Sequence, residues 1–147
     1  DRSLSLANLY GISEKLNAAI KPVVWLKSGG TLVIQPTEAL TVIDVNTGKA
    51  VAGKKKVQET FLKVNREAAV EIAKQIRLRN LSGIIIIDFI DMEEEKDKEL
   101  LMEELEGYFK KDSVKTTLVD MTALGLVEVT RKKVRKPLHE QVADTKK

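Results

Sequence analysis

Residues 83–89 read Gly-Ile-Ile-Ile-Ile-Asp-Phe, and this run is the strongest indication of fold in the sequence. It is β-branched and shows no polar alternation, which is typical of a strand covered on both faces. Helices are therefore expected to cover it. Asp88 stands at the carboxyl end of this predicted strand.

The segment before it changes to helical spacing. Residues 57–80 carry an apolar stripe with a period of three to four residues, which predicts a long amphipathic helix. Residues 40–45 form an apolar strand that reaches Asp44 near its end, and Asn46-Thr47-Gly48 turns the chain immediately afterwards. Strand, helix and strand in this order predict a βαβ unit with two parallel, neighbouring strands.

The rest of the chain completes an α/β prediction, a mixed sheet with an N-terminal hairpin and two main helices packing on it. Two β-rich runs, 23–27 and 31–35, flank Ser28-Gly29-Gly30, a tripeptide suited to a tight turn. A second amphipathic helix is expected at 94–111, followed by strands at 116–121 and 126–130. Residues 1–22 are expected to be a helical end of a preceding subdomain, 23–131 the main subdomain, and 132–147 a basic tail.

Composition excludes several classes of site. The 147 residues include no cysteine and a single histidine, His139, so disulfides, thiolate zinc sites and thiol nucleophiles are ruled out. Any metal must be bound by oxygen. No apolar run approaches the length of a membrane span, and the first residues do not resemble a secretion signal, so a cytoplasmic protein without a membrane span is expected.

Asp44 and Asp88 are the main candidates for chemistry. Both end apolar strands of the βαβ unit, so they are expected to meet at the carboxyl edge of the sheet, where open α/β folds bind ligands. Two adjacent carboxylates repel each other unless a cation neutralises them. Mg²⁺ or Mn²⁺ is the expected ion. Each aspartate alone has a simpler interpretation as a turn cap, and Asn46 could either orient a metal-bound water or make a turn.

The other acids are weaker candidates. Asp91 is expected to cap the next helix, and Glu38 lies in a polar loop. Asp120 ends a predicted strand and is the best third acid by position.

Basic residues follow Asp44 along the chain. Lys49, Lys54 and Lys55 lie in the next loop and could form a phosphate-binding lip, although a solvated loop explains them equally well. The tail from residue 131 carries seven basic and two acidic side chains, a balance that favours polyanions. Aromatic residues make up only 4% of the chain, so base-stacking platforms of the usual kind are scarce.

Six motifs follow one another along the chain: Ser-Gly-Gly at 28–30, PTEALT at 36–41, IDVNTG at 43–48, QIRLR at 75–79, IDFIDM at 87–92 and LGLVEVTR at 124–131. Together, over about residues 10–135, they resemble the catalytic region of the ribonuclease E/G family. The resemblance implies a subdomain like deoxyribonuclease I. In it Asp44 and Asp88 would hold the catalytic Mg²⁺, with Mn²⁺ as a substitute, and Asn46 would support the site.

The implied activity is endonucleolytic cleavage of single-stranded, A/U-rich RNA in RNA decay and ribosomal RNA processing. A Mg²⁺-activated water would attack the phosphodiester and leave 5′-phosphate and 3′-hydroxyl ends. The residues expected to bind the RNA are Lys49, Lys54, Lys55, Arg131 and Lys133. The S1-type and ribonuclease-H-like domains of such enzymes lie upstream of this stretch, and a downstream cysteine motif of many members has no counterpart in this cysteine-free sequence.

Three alternatives stay open at this stage. The chain could bind RNA through its basic residues without cutting it, it could be a self-association unit forming a homo-oligomer, or it could be a receiver-like phosphoacceptor domain. The last lacks the adjacent acidic pair expected after a receiver's first strand.

Overall fold

The computed structural model of the chain describes residues 21–50 and 56–133. The predicted N-terminal helix, Lys54, Lys55 and most of the predicted basic tail lie outside these ranges. The predicted subdomain boundaries therefore stay predictions.

Six strands and two helices make up the described part. The strands are β1 (Val23–Trp25), β2 (Thr31–Pro36), β3 (Thr41–Asn46), β4 (Gly83–Asp88), β5 (Thr116–Met121) and β6 (Leu126–Arg131). The helices are α1 (Val57–Leu78) and α2 (Glu95–Lys110). The α/β class, the hairpin and both helices are as predicted, with ends shifted by one or two residues.

The strands form one mixed sheet in the order β1-β2-β3-β4-β6-β5. β3 and β4 are its parallel pair, with Ile43 opposite Ile87 and Asp44 opposite Asp88. All other neighbours are antiparallel. The predicted βαβ unit is confirmed, with α1 as its crossover.

The core lies between one face of the sheet and the two helices. Inward-facing strand residues alternate with outward-facing ones, and Ile43, Ile85, Ile87 and Val127 are completely buried. Leu101 of α2 is equally inaccessible. Burying such side chains contributes about 1.5–3 kcal/mol each, so this layer is the main source of stability.

The expectation that helices cover both faces of the central strand is wrong for the described residues. Both helices pack on the face that carries Ile85 and Ile87. On the other face Ile84 is 40% exposed and Ile86 is partly exposed. The β-branched run satisfies strand propensity along its whole length, so its composition does not reveal which face is covered.

The end of α1 explains why the helix is shorter than predicted. Asn80 adopts a positive φ of 50°, and the Leu81 N–H donates to the Ile76 carbonyl across 3.0 Å. This left-handed cap ends the helix at Leu78 and turns the chain into β4.

Neither α1 nor α2, the helices of the described ranges, has the combination of length and apolar character that crossing a membrane requires.

Candidate functional site

Asp44 and Asp88 lie directly beside each other at the carboxyl ends of β3 and β4. Neighbouring strands are about 4.8 Å apart, and paired residues project to the same face. That face is the one opposite the helices, because Ile43, Val45 and Ile87 point into the core. Asp44 is half-buried and Asp88 is exposed. The predicted meeting of the two strand-end carboxylates is confirmed.

The electrostatics at this edge are unfavourable for two bare carboxylates. Burial raises the pKa of Asp44 above its ordinary value, and the negative charge of Asp88 raises it further. Hydrogen bonds at Asp44 from the Val45 backbone and the Asn46 side chain act in the opposite direction and lower this pKa. Asn46 therefore bonds to Asp44, and within the described residues no lysine or arginine forms a salt bridge with either carboxylate.

The loop after Asp44 packs closely against the β1–β2 turn. A Cβ atom placed on Gly30 would come within 2.8 Å of the Asn46 carbonyl oxygen, so only glycine allows this approach. Gly29 has a φ of 98°, as the predicted tight turn requires, and its carbonyl accepts from the Lys49 N–H. The Ser-Gly-Gly motif thus helps to position Asn46.

Asn65 of α1 fixes the loop after Asp88. It is completely buried, its Nδ2 donates to the Ile90 carbonyl (2.8 Å), and its Oδ1 accepts from the Ile90 N–H (3.0 Å). This role of Asn65 was not predicted from the sequence. The available signal was a polar amide on the otherwise apolar face of α1, between Phe61 and Ala68.

Two clefts flank the acid pair. One, here called the Asp88 cleft, has a volume of about 210 Å³ and lies between the loop after β4, the first turns of α2 and the β5–β6 turn. The other has a volume of about 500 Å³ and is lined by Asn46, Thr47 and Phe61 among others. Ile90 lines both clefts, so the loop held by Asn65 separates them.

The other predicted acids do not join the pair. Asp91 does not cap α2 as expected, because Glu94 occupies the N-cap position, and Asp91 instead lines the Asp88 cleft. Glu38 precedes β3 and therefore lies at the opposite end of that strand from Asp44. Asp120 lies on β5, with β6 between it and β4.

The predicted RNA-binding residues separate into two groups. Lys49 is exposed in the loop after β3, on the side of the acids. Arg131 and Lys133 are at the other end, because Arg131 pairs with Gly83, five residues or about 16 Å along β4 from Asp88. Arg131 is only 5% exposed, and its guanidinium donates to Asp112, Asn80 and the Leu81 carbonyl. Its donors are therefore occupied within the protein, and it is not included among the proposed RNA-binding residues.

The donor set at the acid edge fits a hard divalent cation. Over residues 21–50 and 56–133, no three histidine, cysteine, aspartate or glutamate side chains come together as a metal-binding group. Mg²⁺ retains several waters and is commonly bound through one or two carboxylates, so two aspartates are a sufficient protein contribution.

Comparisons of the sequence with known proteins agree with the resemblance of its motifs. The ribonuclease E/G family profile matches residues 1–134. The chain belongs to the ribonuclease E/G family. Over 138 residues it is 46% identical to ribonuclease E of Synechocystis sp., covering 94% of this chain and 20% of that protein. Over 131 residues it is 46% identical to ribonuclease G of Escherichia coli strain K12, covering 89% of this chain and 27% of that protein.

The chain thus spans between a fifth and somewhat over a quarter of these two relatives. The resemblance inferred from the six motifs is confirmed at the level of the family.

Proposed function

We propose that this chain is the metal-binding catalytic region of an endoribonuclease that cleaves single-stranded RNA. The observation that carries the proposal is the side-by-side placement of Asp44 and Asp88 at one sheet edge, in a chain of the ribonuclease E/G family. Two neighbouring carboxylates, one half-buried and one exposed, repel each other, and a divalent cation relieves that repulsion.

Each residue has a distinct role in the proposed site. Asp44 and Asp88 hold Mg²⁺, with Mn²⁺ as a substitute. Asn46 bonds to Asp44 and keeps its carboxylate oriented. When bound, the cation polarises a water for attack on the phosphodiester and offsets charge on the phosphate oxygens. Cleavage by this route leaves 5′-phosphate and 3′-hydroxyl ends.

Lys49 is the described basic residue best placed to contact the RNA backbone. It is exposed in the loop that follows Asp44, and its backbone is tied to Gly29. Lys54 and Lys55 follow Lys49 closely in the sequence, outside the described ranges. Such contacts position a strand without reading its sequence. We further propose that A/U-rich RNA is the substrate, in RNA decay and ribosomal RNA processing in the cytoplasm.

The test is RNA cleavage by a full-length family member in which this chain replaces the matching region. Asp44→Asn or Asp88→Asn should lower the rate in Mg²⁺ by about 100- to 1000-fold, because several kcal/mol of charge stabilisation are lost. The size and end groups of the products are read by gel electrophoresis. Asp120→Asn is the matched control and should leave the rate within about twofold.

A second readout uses the chain itself. Mn²⁺ titrated into isotope-labelled protein should broaden amide NMR signals on both sides of Asp44 and of Asp88. Unchanged turnover in both asparagine variants would reject the proposal. Salt-sensitive RNA binding without any cleavage, unaffected by Asp88→Asn, would instead favour a binding module.

A further inference from the structure

The Asp88 cleft has no role in the reaction proposed above, although Asp88 is one of its lining residues. A phosphate that reaches Asp88 therefore lies beside a residue that also lines this cleft. The further inference concerns what the cleft receives, and it rests on the proposed function.

The walls of the cleft combine apolar and charged side chains. Phe89, Met92 and Leu101 form buried surface, and Met121 at the end of β5 and Leu124 in the β5–β6 turn add partly exposed and exposed surface. Three charged side chains, Asp88, Asp91 and Lys98, also line it. Such a lining suits a small ligand that has both an apolar face and polar groups.

Leu124 is held in solvent by a well-bonded turn. The side chain is 87% exposed, the largest value among the exposed large apolar residues of the described ranges. The Thr122 N–H donates to the Leu126 carbonyl (2.7 Å), and the Gly125 N–H donates to the Thr122 carbonyl (3.0 Å). A third bond joins the Leu126 N–H to Thr122 Oγ1 across 3.2 Å. These bonds hold the backbone of the turn, which therefore places the exposed Leu124 side chain at the same cleft as Asp88.

We propose that the Asp88 cleft binds one unpaired nucleobase of the RNA, adjacent to the phosphate that reaches Asp44 and Asp88. A second phosphate inside the cleft would face apolar side chains and the carboxylate of Asp91, and Lys98 is the cationic side chain that lines the cleft. The apolar side chains favour a base over a second phosphate. A base has a flat face that packs on apolar side chains and a polar edge that can bond to charged groups at the rim. In a duplex that face is stacked and that edge is paired, so the cleft selects single-stranded RNA.

The binding test uses the chain labelled at its methionine and leucine methyl groups, in Ca²⁺, which takes similar oxygen ligands. Pentamers of uridine or adenosine should shift the Met121 and Leu124 methyl signals. A strand with the same phosphates but abasic sugars should bind about tenfold more weakly and leave these signals unmoved. Leu124→Ser should weaken the base-containing strands about tenfold.

Val119→Ser is the matched control. Val119 is 50% exposed on β5 and does not line the cleft, so its replacement should change affinity by less than about twofold. Equal weakening by the two serine variants, or equal methyl shifts with the abasic strand, would overturn the inference.

Cleavage by the full-length enzyme that carries this chain separates the inference from the proposed function. Leu124→Ser should raise KM about tenfold, keep kcat within about threefold, and flatten the base preference at a single position relative to the cut. If Asp88→Asn abolishes cleavage while Leu124→Ser leaves the base preference intact, the cleft inference alone fails. If Asp88→Asn leaves cleavage unchanged, the proposed function fails.

Discussion

The two ends of strand β4 differ in whether the charged side chains beside them are paired with an opposite charge. At its carboxyl end Asp88 lies beside Asp44, a second carboxylate, and the pKa of Asp44 is raised. Near its amino end the guanidinium of Arg131 is buried and bonded to Asp112 (Nε to Oδ2, 2.9 Å). The side chains of that ion pair are each 3% exposed.

The buried pair is completed by neutral partners. Arg131 Nη1 donates to Asn80 Oδ1 and to the Leu81 carbonyl, each at 2.9 Å. Asp112 also accepts from the Val114 N–H and the Thr116 hydroxyl. The charge there is neutralised inside the protein, so that end serves stability. At the acid edge the described part of the chain places no cationic side chain in a salt bridge with Asp44 or Asp88, which is the condition expected where a cation binds.

The largest expected loss of stability comes from removing Asp112, the carboxylate of the buried ion pair. Asp112→Ala leaves Arg131 buried without its carboxylate and should lower the free energy of unfolding by about 3–5 kcal/mol, measured by urea denaturation. Asp120→Ala is the control, since Asp120 is exposed and its carboxylate, among the residues that the structure describes, accepts only from the adjacent Met121 N–H. Its effect should stay within about 0.5 kcal/mol. Similar losses in both variants would contradict the comparison.

A divalent cation should stabilise the protein through the acid pair at the carboxyl end of β4, and not through the buried pair of Arg131 and Asp112. At a Mn²⁺ concentration about a hundred times Kd, the wild-type free energy of unfolding should rise by about 2.7 kcal/mol. Asp88→Asn should abolish this gain, whereas the Asp112 variant should retain it from a lower starting stability. Thermal denaturation with and without Mn²⁺ provides the measurement, and an equal gain in Asp88→Asn would argue against the site.

The Asn65→Ala variant tests whether the loop after Asp88 depends on the two hydrogen bonds between Asn65 and Ile90. Asn65→Ala leaves the Ile90 N–H and carbonyl unpaired, and it should cost about 2 kcal/mol of stability. Affinity for Mn²⁺ should fall about tenfold, as is usual when a residue behind a metal ligand is removed.

Gln75→Ala is the control for Asn65. Gln75 is a nearly buried amide on the same helix, and it bonds to Glu71 and Arg79, away from the acids. It should lose stability but keep its Mn²⁺ affinity. Equal loss of affinity in the two variants would show that Asn65 acts only through stability.

The smallest effect is a difference in pH dependence. The folded pKa of Asp44 is raised, so relative to Asp44→Asn the wild type gains stability as the pH falls through that pKa. Burial alone would raise the pKa of Asp112, but bonds from Arg131 and its neighbours outweigh burial and lower it. Relative to Asp112→Asn, the wild type therefore loses stability as the pH falls below 3.8. Urea titrations across this range should show the two opposite slopes, and slopes of the same sign would refute the assignment.

Sequence patterns were sufficient for the βαβ unit and for the acid pair. The period of α1 and the β-branched run of β4 are local properties, and two strands joined by one crossover helix are nearly always parallel. Asp44 and Asp88 meet because each ends its own strand. The family motifs at 43–48 and 87–92 contain both acids.

Arg131 shows where sequence patterns were insufficient. It follows the predicted strand 126–130 in a basic segment, and its charge suggested a phosphate contact. Only the antiparallel pairing of β6 with β4 brings it next to Asn80 and Leu81, and only the segment just after α2 supplies Asp112. The sequence likewise did not indicate that Leu124 is exposed, because its exposure depends on the turn between β5 and β6.

The sequence by itself determined the order of strands and helices and the two acids at strand ends, because those features follow from short-range periodicity and from chain connectivity. The tertiary structure decided which charges are neutralised, which loop Asn65 holds, and where an apolar cleft opens beside Asp88. Those outcomes depend on contacts between segments 19 to 51 positions apart along the chain, and local patterns do not encode them.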